Sequence, residues 1–270
     1  MNLKILLDCC LTEINKINKL RHPKYNQKIK YSDEYYLTMI YYMLNDVNNW
    51  NFLSNLKLCK SKNKYHYKTI YNKFRFWTSK NVFVNAFNNC KTTYKTNLLL
   101  IDATSNVNKY GSENVVINPE YRKKNVTKLS LIVNEKGFIY SVSYFDIKNE
   151  NANYSTAIHD VKMIEKNLTE INKVNNGSNY YHLLADKAYK TQEVFELDDK
   201  VVKIITPDKK NAKKKNNDFL NTKLKKRTKV ENVNCFIKKQ ERVMVRKDRK
   251  IKYYMSFVYM ACLLNNEICK

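Results

Sequence analysis

The chain has 270 residues and is strongly basic, with 50 Lys and Arg against 25 Asp and Glu and a formal net charge of +25. A soluble protein this basic repels itself and seeks a polyanion, of which duplex DNA is the first candidate. We expect no membrane partner, because the sequence has no apolar run of about 18 residues, no signal-peptide pattern and no lipidation motif. An anionic membrane surface is a distant alternative.

The seven cysteines argue against a zinc site and for a reducing compartment. No pair has Cys-X-X-Cys spacing, and none lies near a histidine at ligand spacing. An odd number of cysteines in a lysine-rich chain suits free thiols. We therefore expect an intracellular protein, in the cytoplasm or the nucleus, wherever its polyanion is found.

Residues 1–95 are predicted to be helical and to form a DNA-binding domain. Ser32 precedes two acids and a stretch of helical periodicity, which predicts an N-cap and a helix. In the later run KYHYKTIYNKFRFW, one stripe holds Tyr67, Ile70, Tyr71 and Phe74, and off it lie Lys68, Lys73 and Arg75. We expect these three cations to contact DNA in a helix-turn-helix-like module. A plain helical bundle with a solvated basic side is an equal alternative.

From residue 96 onward the periodicity changes to that of an α/β protein. The run NLLLIDATS is typical of a strand buried on both faces. The run VTKLSLIVNEKGFIYSVSYF predicts two strands joined by a turn at Asn134–Gly137. A helix through Ile164 and Leu168, a strand in YYHLLADKAY, a short helix in TQEVFELDD, a strand in VVKIITP and two further helices are then predicted. This order favours a mixed sheet flanked by helices in residues 96–270.

Two aspartates come directly after buried strands, Asp102 after LLLI and Asp186 after HLLA. Each alone is more often a turn-forming or helix-capping residue. On neighbouring strands of one sheet, however, the two carboxylates could converge on a divalent cation. Mg²⁺ prefers a few carboxylates together with water and phosphate oxygens.

Glu231 is an isolated acid in the basic stretch KRTKVENVNCFIKKQER. On a helical wheel one stripe holds Arg227, Glu231, Asn234, Lys238 and Arg242. A second stripe holds Val230, Val233, Ile237 and Met244. If the second stripe faces the core, Glu231 reaches a cleft as a third metal-binding acid, with cations around it for phosphate. A solvated basic helix with one ion pair is the alternative.

Together these motifs resemble the DDE transposases of bacterial-type insertion sequences. LLLIDATS resembles the family's first-aspartate strand, YRKKNVTKLSLIVNEKGFIYSV the strand and hairpin that follow it, and LLADKAYKT the second-aspartate motif. Arg227, Glu231 and Lys238 match the Arg–three–Glu–six–Lys signature, and TIYNKFRFWTSKNVFVNAF resembles the end of the helical N-terminal domain. Leu224 and Ala188 depart from the family, which has tyrosine and glycine there.

The resemblance implies a ribonuclease-H-like catalytic domain that performs cut-and-paste DNA transposition of an insertion-sequence element. Two Mg²⁺ or Mn²⁺ ions would bridge Asp102, Asp186 and Glu231. They would activate water, and later the freed 3′-hydroxyl, for attack on a phosphodiester. The partners implied are double-stranded DNA, as terminal repeats and target, and a second copy of the chain, with no small-molecule substrate.

Phosphate contacts beside the site are expected from Arg227, Lys238, Lys128, Lys187 and Arg242. His182 and Tyr189 are expected to pack, and His159 to lie at the surface. Two alternatives stay open. The chain could be a domesticated, non-catalytic DNA-binding protein derived from a transposase, or a nuclease of the same fold that cuts without strand transfer.

Overall fold

A computed structural model describes residues 3–20, 31–45, 49–55, 67–90, 96–118, 123–146, 163–172, 180–189, 194–197, 200–208 and 216–269. The helices are α1 Leu3–Lys19, α2 Asp33–Leu44, α3 Tyr67–Ser79, α4 Val82–Asn89, α5 Ile164–Asn172, α6 Asp218–Lys225, α7 Thr228–Lys238, α8 Glu241–Met244 and α9 Ile251–Ile268. The strands are β1 Leu98–Asn108, β2 Val116–Asn118, β3 Lys124–Asn134, β4 Ile139–Tyr144, β5 Tyr180–Leu184, β6 Val194–Leu197, β7 Lys200–Ile205 and β8 Val245–Arg246. Short 3₁₀ turns occupy Trp50–Asn55 and Lys187–Tyr189.

The eight strands found in the described residues form one mixed sheet with β1 at its centre. Strand β3 is antiparallel to β1 on one side, and β5 is parallel to it on the other. The sheet continues through β7 to the antiparallel edge strand β6. Strand β3 also pairs with β2 and β4, while the end of β1 pairs with β8. This mixed sheet flanked by helices is consistent with the ribonuclease-H-like expectation.

The two faces of the sheet are covered by different helices. Leu100 belongs to a hydrophobic cluster with residues of α7, α9 and the N-terminal helices. Its neighbours Leu99 and Ile101 belong to a second cluster, which contains Ile164 and Leu168 of α5. Successive residues of a strand point to opposite faces. Asp102, two residues after Leu100, therefore lies on the face that α7 covers.

The N-terminal helices share the first cluster with the sheet through α9. The rings of Phe74 in α3 and Phe257 in α9 stack with centroids 4.9 Å apart. Thr78 and Ser256 join the same two helices by a buried hydroxyl–hydroxyl hydrogen bond of 3.0 Å. The apolar core thus continues across residue 96, where secondary structure changes from helix to strand. The division into two domains and the helix-turn-helix-like module stay predictions.

Two predicted local features are confirmed. The hydroxyl of Ser32 accepts a hydrogen bond from the backbone N–H of Tyr35, at 3.2 Å, and caps α2. The Asn134 side chain accepts from the backbone N–H groups of Lys136 and Phe138, both at 2.9 Å, in the turn between β3 and β4. Gly137 has a φ of +90°, a conformation that a residue with a Cβ adopts only with strain.

Two predicted helices are wrong in type or extent. The run TQEVFELDD was predicted as a helix, but Val194–Leu197 is strand β6, because pairing with β7 outweighs a helical pattern this short. The long helix was predicted to continue past Lys238, but the backbone of Gln240 is extended. Met244 therefore leaves the apolar stripe and is 43% exposed.

The expectation that the cysteines are free thiols is wrong for one pair. Cys9 in α1 and Cys90 after α4 form a disulfide. They are 81 residues apart, so their spacing in the sequence does not indicate that they pair. The packing of α1 against α4 brings them together. Four further cysteines of the described residues are outside any disulfide, namely Cys10, Cys235, Cys262 and Cys269. Cys59 lies outside the described residues.

Helices long and apolar enough to cross a bilayer are absent from the part of the chain that the structure describes.

Candidate active site

Asp102 is expected directly after a strand, but β1 continues to Asn108, so Asp102 lies within the strand, with its side chain 22% exposed. Its Oδ2 accepts a 2.8 Å hydrogen bond from Nδ2 of Asn234 in α7. Its Oδ1 lies 3.9 Å from Nη1 of Arg227. Burial raises the pKa of the Asp102 carboxyl to about 6, and the negative charge of Glu231 adds to this, although Arg227 and the hydrogen bond from Asn234 act in the opposite direction. The ionised carboxylate is thus poorly solvated and favours a nearby cation.

Helix α7 presents its polar side chains to Asp102 because its apolar residues anchor it on the sheet. Val230, Val233 and Ile237 are at most 3% exposed, as the helical wheel predicts. Nη2 of Arg227 donates a 2.5 Å hydrogen bond to Oε1 of Glu231, whose side chain is 46% exposed. The Arg227 guanidinium therefore contacts both the Asp102 and the Glu231 carboxylates.

Lys238 lies at the C-terminal end of α7, on the side of the helix that faces β1. Its Nζ donates a 3.0 Å hydrogen bond to the backbone carbonyl of Ser105, three residues after Asp102 in β1. Burial lowers the pKa of the Lys238 ammonium, while the charges of Cys235 and Asp102 act in the opposite direction. A half-buried ammonium of this kind gains from an anion that approaches the cleft.

Asp186 follows β5, the parallel neighbour of β1. Leu100 and Leu184 are partners in the register of these strands, and each aspartate follows its leucine by two residues. Neighbouring strands are about 4.8 Å apart, so the two aspartates start from adjacent positions of the sheet. Asp186 is exposed, and its Oδ1 accepts a 2.6 Å hydrogen bond from the backbone N–H of Lys187.

The three acids do not form a closed metal-binding group in this arrangement. Among the described residues, no three His, Cys, Asp or Glu side chains lie close enough to hold one ion. Glu231 is paired with Arg227, and Asp186 with the backbone of its own turn. The donors nevertheless suit Mg²⁺ or Mn²⁺, which prefer oxygen ligands. A further oxygen, Oδ1 of Asn234, is buried without a hydrogen-bond partner.

The expected phosphate contacts divide into those beside Asp102 or Asp186 and those away from them. Arg227 and Lys238 lie at Asp102, and Lys187 is exposed next to Asp186. Lys128, in contrast, pairs with Ser105 and so lies on the sheet face opposite to Asp102. Its Nζ sits 5.2 Å from the centre of the Phe145 ring. The expectation that Lys128 reaches phosphate beside the acids is wrong for this conformation, because strand alternation turns it away.

Arg242 also lies away from its expected position. Its side chain is 3% exposed, and its Nε and Nη2 each donate a 3.1 Å hydrogen bond to the Asp248 carboxylate. The guanidinium lies over the Phe257 ring, 5.3 Å from its centre. Because α7 ends before this residue, Arg242 turns into the core instead of lining the cleft.

The three expected N-terminal DNA contacts also differ in exposure. Nζ of Lys73 lies 3.0 Å from Oδ1 of Asp33 and 5.5 Å from the centre of the Trp77 ring, so Lys73 joins α3 to α2. Lys68 and Arg75 are exposed. The DNA contacts of all three stay predictions.

Asn234 has a role that its sequence does not reveal, although it lies on the same stripe as Glu231. Its contact with Asp102 depends on how α7 crosses β1, which no local pattern reports. Tyr189 is fully buried, so its prediction as a packing residue is confirmed. His182 packs edge-on against the Tyr180 ring at 5.1 Å. His159 lies outside the described residues.

Comparison with known proteins shows a likeness of fold. No protein-family model and no curated protein matches the sequence. The structure resembles that of a piggyBac transposase, solved by cryo-EM as a synaptic complex with hairpin DNA, with a TM-score of 0.51 and 11% sequence identity. The alignment covers 98% of this chain and 64% of the transposase chain. The likeness shows that the two chains share a fold.

Proposed function

We propose that this protein is a DDE transposase, which cleaves DNA at the ends of an insertion-sequence element and joins them to target DNA. The observation that carries the proposal is the meeting of Asp102 with the Arg227–Glu231–Lys238 signature of α7. Asp102 lies far from Arg227, Glu231 and Lys238 along the chain. Their meeting at one carboxylate agrees with the motifs, with the shared fold and with a net charge of +25.

Asp102, Asp186 and Glu231 are the proposed holders of two Mg²⁺ or Mn²⁺ ions. The ions would supply Lewis-acid activation of the attacking oxygen and neutralise charge at the leaving oxygen. For Glu231 to take part, its carboxylate must leave Arg227; the Glu231 side chain is 46% exposed and that of Arg227 is 22% exposed. The released guanidinium is then free to contact a phosphate, to which arginine can donate two hydrogen bonds.

In the proposed reaction each residue contributes position or charge. A water oxygen forms a bond to phosphorus as the bond to the 3′ oxygen breaks, which leaves a 3′-hydroxyl and a 5′-phosphate. That hydroxyl later attacks a phosphodiester of the target and displaces another 3′ oxygen. Arg227 and Lys238 neutralise the non-bridging oxygens during both displacements, because phosphoryl transfer depends mainly on positioning and electrostatic stabilisation. Lys187 would contact the strand beside Asp186.

The test is strand cleavage and strand transfer on labelled duplexes that carry the genomic flanks of this gene, with Mg²⁺ or Mn²⁺. We expect Asp102→Asn, Asp186→Asn and Glu231→Gln each to reduce cleavage by more than about 100-fold. The matched control Asp218→Asn, an exposed acid at the start of α6, should cleave like the unmodified protein. DNA affinity should stay within about threefold in all four variants, since phosphate contacts dominate affinity.

The outcomes separate the proposed enzyme from its alternatives. Cleavage without any strand-transfer product identifies a nuclease of the same fold. DNA binding without metal-dependent cleavage identifies a non-catalytic DNA-binding protein. Dimer formation on paired DNA ends remains part of the proposal and is measured in the same reactions by light scattering.

A further inference from the structure

A second basic surface surrounds a cavity of about 380 Å³ that is separate from the three acids. The cavity lies between the 3₁₀ turn at Trp50, helix α3 and the segment that joins β8 to α9. This segment follows Arg246, which pairs with Asn108 at the end of β1. Asn108 is six residues from Asp102 along an extended strand, so this end of β1 lies about 20 Å from Asp102.

Aromatic side chains form one side of this cavity. Trp50, Tyr71 and Tyr253 line it, and each is half-buried. The ring centroids of Trp50 and Tyr71 are 5.1 Å apart, and the Trp50 ring also packs 5.2 Å from that of Phe74 in the core. The inner edges of the rings are therefore fixed by packing while part of their surface faces the cavity. Flat aromatic surface of this kind suits the face of a nucleobase.

Cations lie at the rim beside these rings. Arg75, Arg249 and Lys250 line the cavity and are exposed. The guanidinium of Arg75 is positioned by a 3.2 Å hydrogen bond from its Nε to the Tyr253 hydroxyl and lies 5.7 Å from the centre of the Tyr71 ring. The cavity therefore combines a positioned guanidinium, that of Arg75, with further exposed cations and with aromatic surface, and guanidinium groups suit phosphate.

Acidic groups do little to offset this positive charge. Among the described lining residues, Asp248 is the one acid. It is 7% exposed and accepts two hydrogen bonds from Arg242. The buried pair is close to neutral, so Arg75, Arg249 and Lys250 determine the sign of the potential at the opening.

The geometry points to a binding site for one unpaired nucleotide of a DNA strand. Its base stacks on the Trp50 ring, beside the Tyr71 ring that is tilted by 52° to it, and its phosphate contacts Arg75 and Arg249. A concave aromatic site favours an unpaired base over a duplex, whose bases are already stacked and whose phosphates need only surface cations. The inference rests on the proposed function only in taking DNA as the source of the nucleotide.

The test compares two labelled duplexes of identical sequence, one blunt and one with a tail of about five thymidines, in EDTA so that no cleavage occurs. We expect the unmodified protein to bind the tailed duplex about tenfold more tightly. The double variant Arg75→Gln/Arg249→Gln should lose that preference. The control Lys4→Gln/Lys203→Gln, which removes two exposed cations elsewhere, should keep it.

Tryptophan fluorescence gives an independent readout of stacking. The chain has two tryptophans, and Trp77 is 1% exposed. We expect the tailed duplex, but not the blunt one, to quench fluorescence, and Trp50→Phe to remove the quenching. The inference would be overturned if the Arg75→Gln/Arg249→Gln variant lost the same affinity for both duplexes. It would also be overturned if the control variant lost the preference for the tailed duplex to the same extent, or if the tailed duplex did not quench the fluorescence.

A competition experiment distinguishes a site for a DNA strand from a site for a free nucleotide. Thymidine monophosphate at millimolar concentration should compete weakly with the tailed duplex. If it competes as well as a thymidine oligonucleotide does, the site serves free nucleotides and the inference fails. Failure of any of these binding arms leaves the cleavage assay unaffected, so the two proposals are tested separately.

Discussion

The 2.8 Å hydrogen bond from Nδ2 of Asn234 to Oδ2 of Asp102 joins helix α7 to the central strand β1. These residues are 132 positions apart in the chain. The bond fixes the helix face that carries Glu231 and Lys238 against the first aspartate. It also leaves Oδ1 of Asn234 buried without a hydrogen-bond partner, at a place where a positive charge would be accommodated.

Asp102 should make stability depend on pH in the absence of metal. Its pKa is about 6 in the folded protein against an ordinary value of 3.8, so the folded state binds its proton more tightly than the unfolded state does. Ionisation therefore costs stability progressively as pH rises from about 4 to about 6. In EDTA above that range, Asp102→Asn should raise the free energy of unfolding by on the order of 2–3 kcal/mol relative to the unmodified protein.

The measurement is urea unfolding of both proteins in EDTA between pH 4 and pH 8. The difference in unfolding free energy should fall steeply toward pH 4 and approach zero below it, as the carboxyl becomes protonated in both states. A difference that is the same at every pH would show that the Asp102 carboxyl is not desolvated. Addition of Mg²⁺ at pH 8 should stabilise the unmodified protein and leave the asparagine variant unchanged.

Arg242 should act on stability and not on DNA affinity. Arg242→Met leaves the carboxylate of Asp248 buried and unpaired, and should lower the free energy of unfolding by about 3–5 kcal/mol. The double variant Arg242→Met/Asp248→Leu should recover most of this loss, because it removes both buried charges. If the single variant instead unfolds normally and binds duplex DNA more weakly, Arg242 is a phosphate contact after all.

Arg246 is a fully buried guanidinium that holds several segments together. It donates to the carbonyls of Glu113, Asp248 and Arg249 and to the Thr127 hydroxyl, at 2.7–3.0 Å. Arg246→Met should lower the free energy of unfolding by about 3 kcal/mol, because these acceptors stay buried and lose their donor. The matched variant Arg249→Met, which removes an exposed guanidinium, should change it by less than about 0.5 kcal/mol. Similar unfolding curves for the two variants would contradict this assignment.

Lys238 and its neighbour Lys239 should differ in their effect on DNA. Lys238 is half-buried beside Asp102, whereas Lys239 is exposed and lies about 100° further round the helix axis. Lys238→Met should reduce cleavage at least about tenfold and lower the slope of log affinity against log salt by about 1. Lys239→Met should leave the cleavage rate unchanged. Equal effects of the two substitutions would show that Lys238 contributes only to the overall positive charge and has no specific role beside Asp102.

Site residues could be predicted most accurately from the sequence where a polar residue follows a regular hydrophobic pattern. Asp102 and Asp186 could be found because each follows an apolar run, and the register of the parallel strands β1 and β5 brings these runs side by side, although β1 continues past Asp102. The apolar stripe of α7 was likewise readable, because Val230, Val233 and Ile237 recur at helical spacing.

The errors arise where position depends on long-range packing. Lys128 was placed on the wrong face because β3 is buried on both sides, which hides the alternation that would reveal its direction. Arg242 was placed in the cleft because nothing in its neighbourhood shows that the backbone turns at Gln240. The spacing of Arg227 and Glu231 does not show whether their side chains pair with each other, as they do here, or bind a phosphate and a metal ion instead.

The most direct measurement of the central claim is anomalous diffraction from crystals of the protein grown with Mn²⁺ and a cleaved DNA end. We expect anomalous peaks between the carboxylates of Asp102, Asp186 and Glu231, with the Arg227 guanidinium moved from Glu231 to a phosphate. Manganese bound elsewhere, with Glu231 still paired to Arg227 while DNA occupies the cleft, would contradict it.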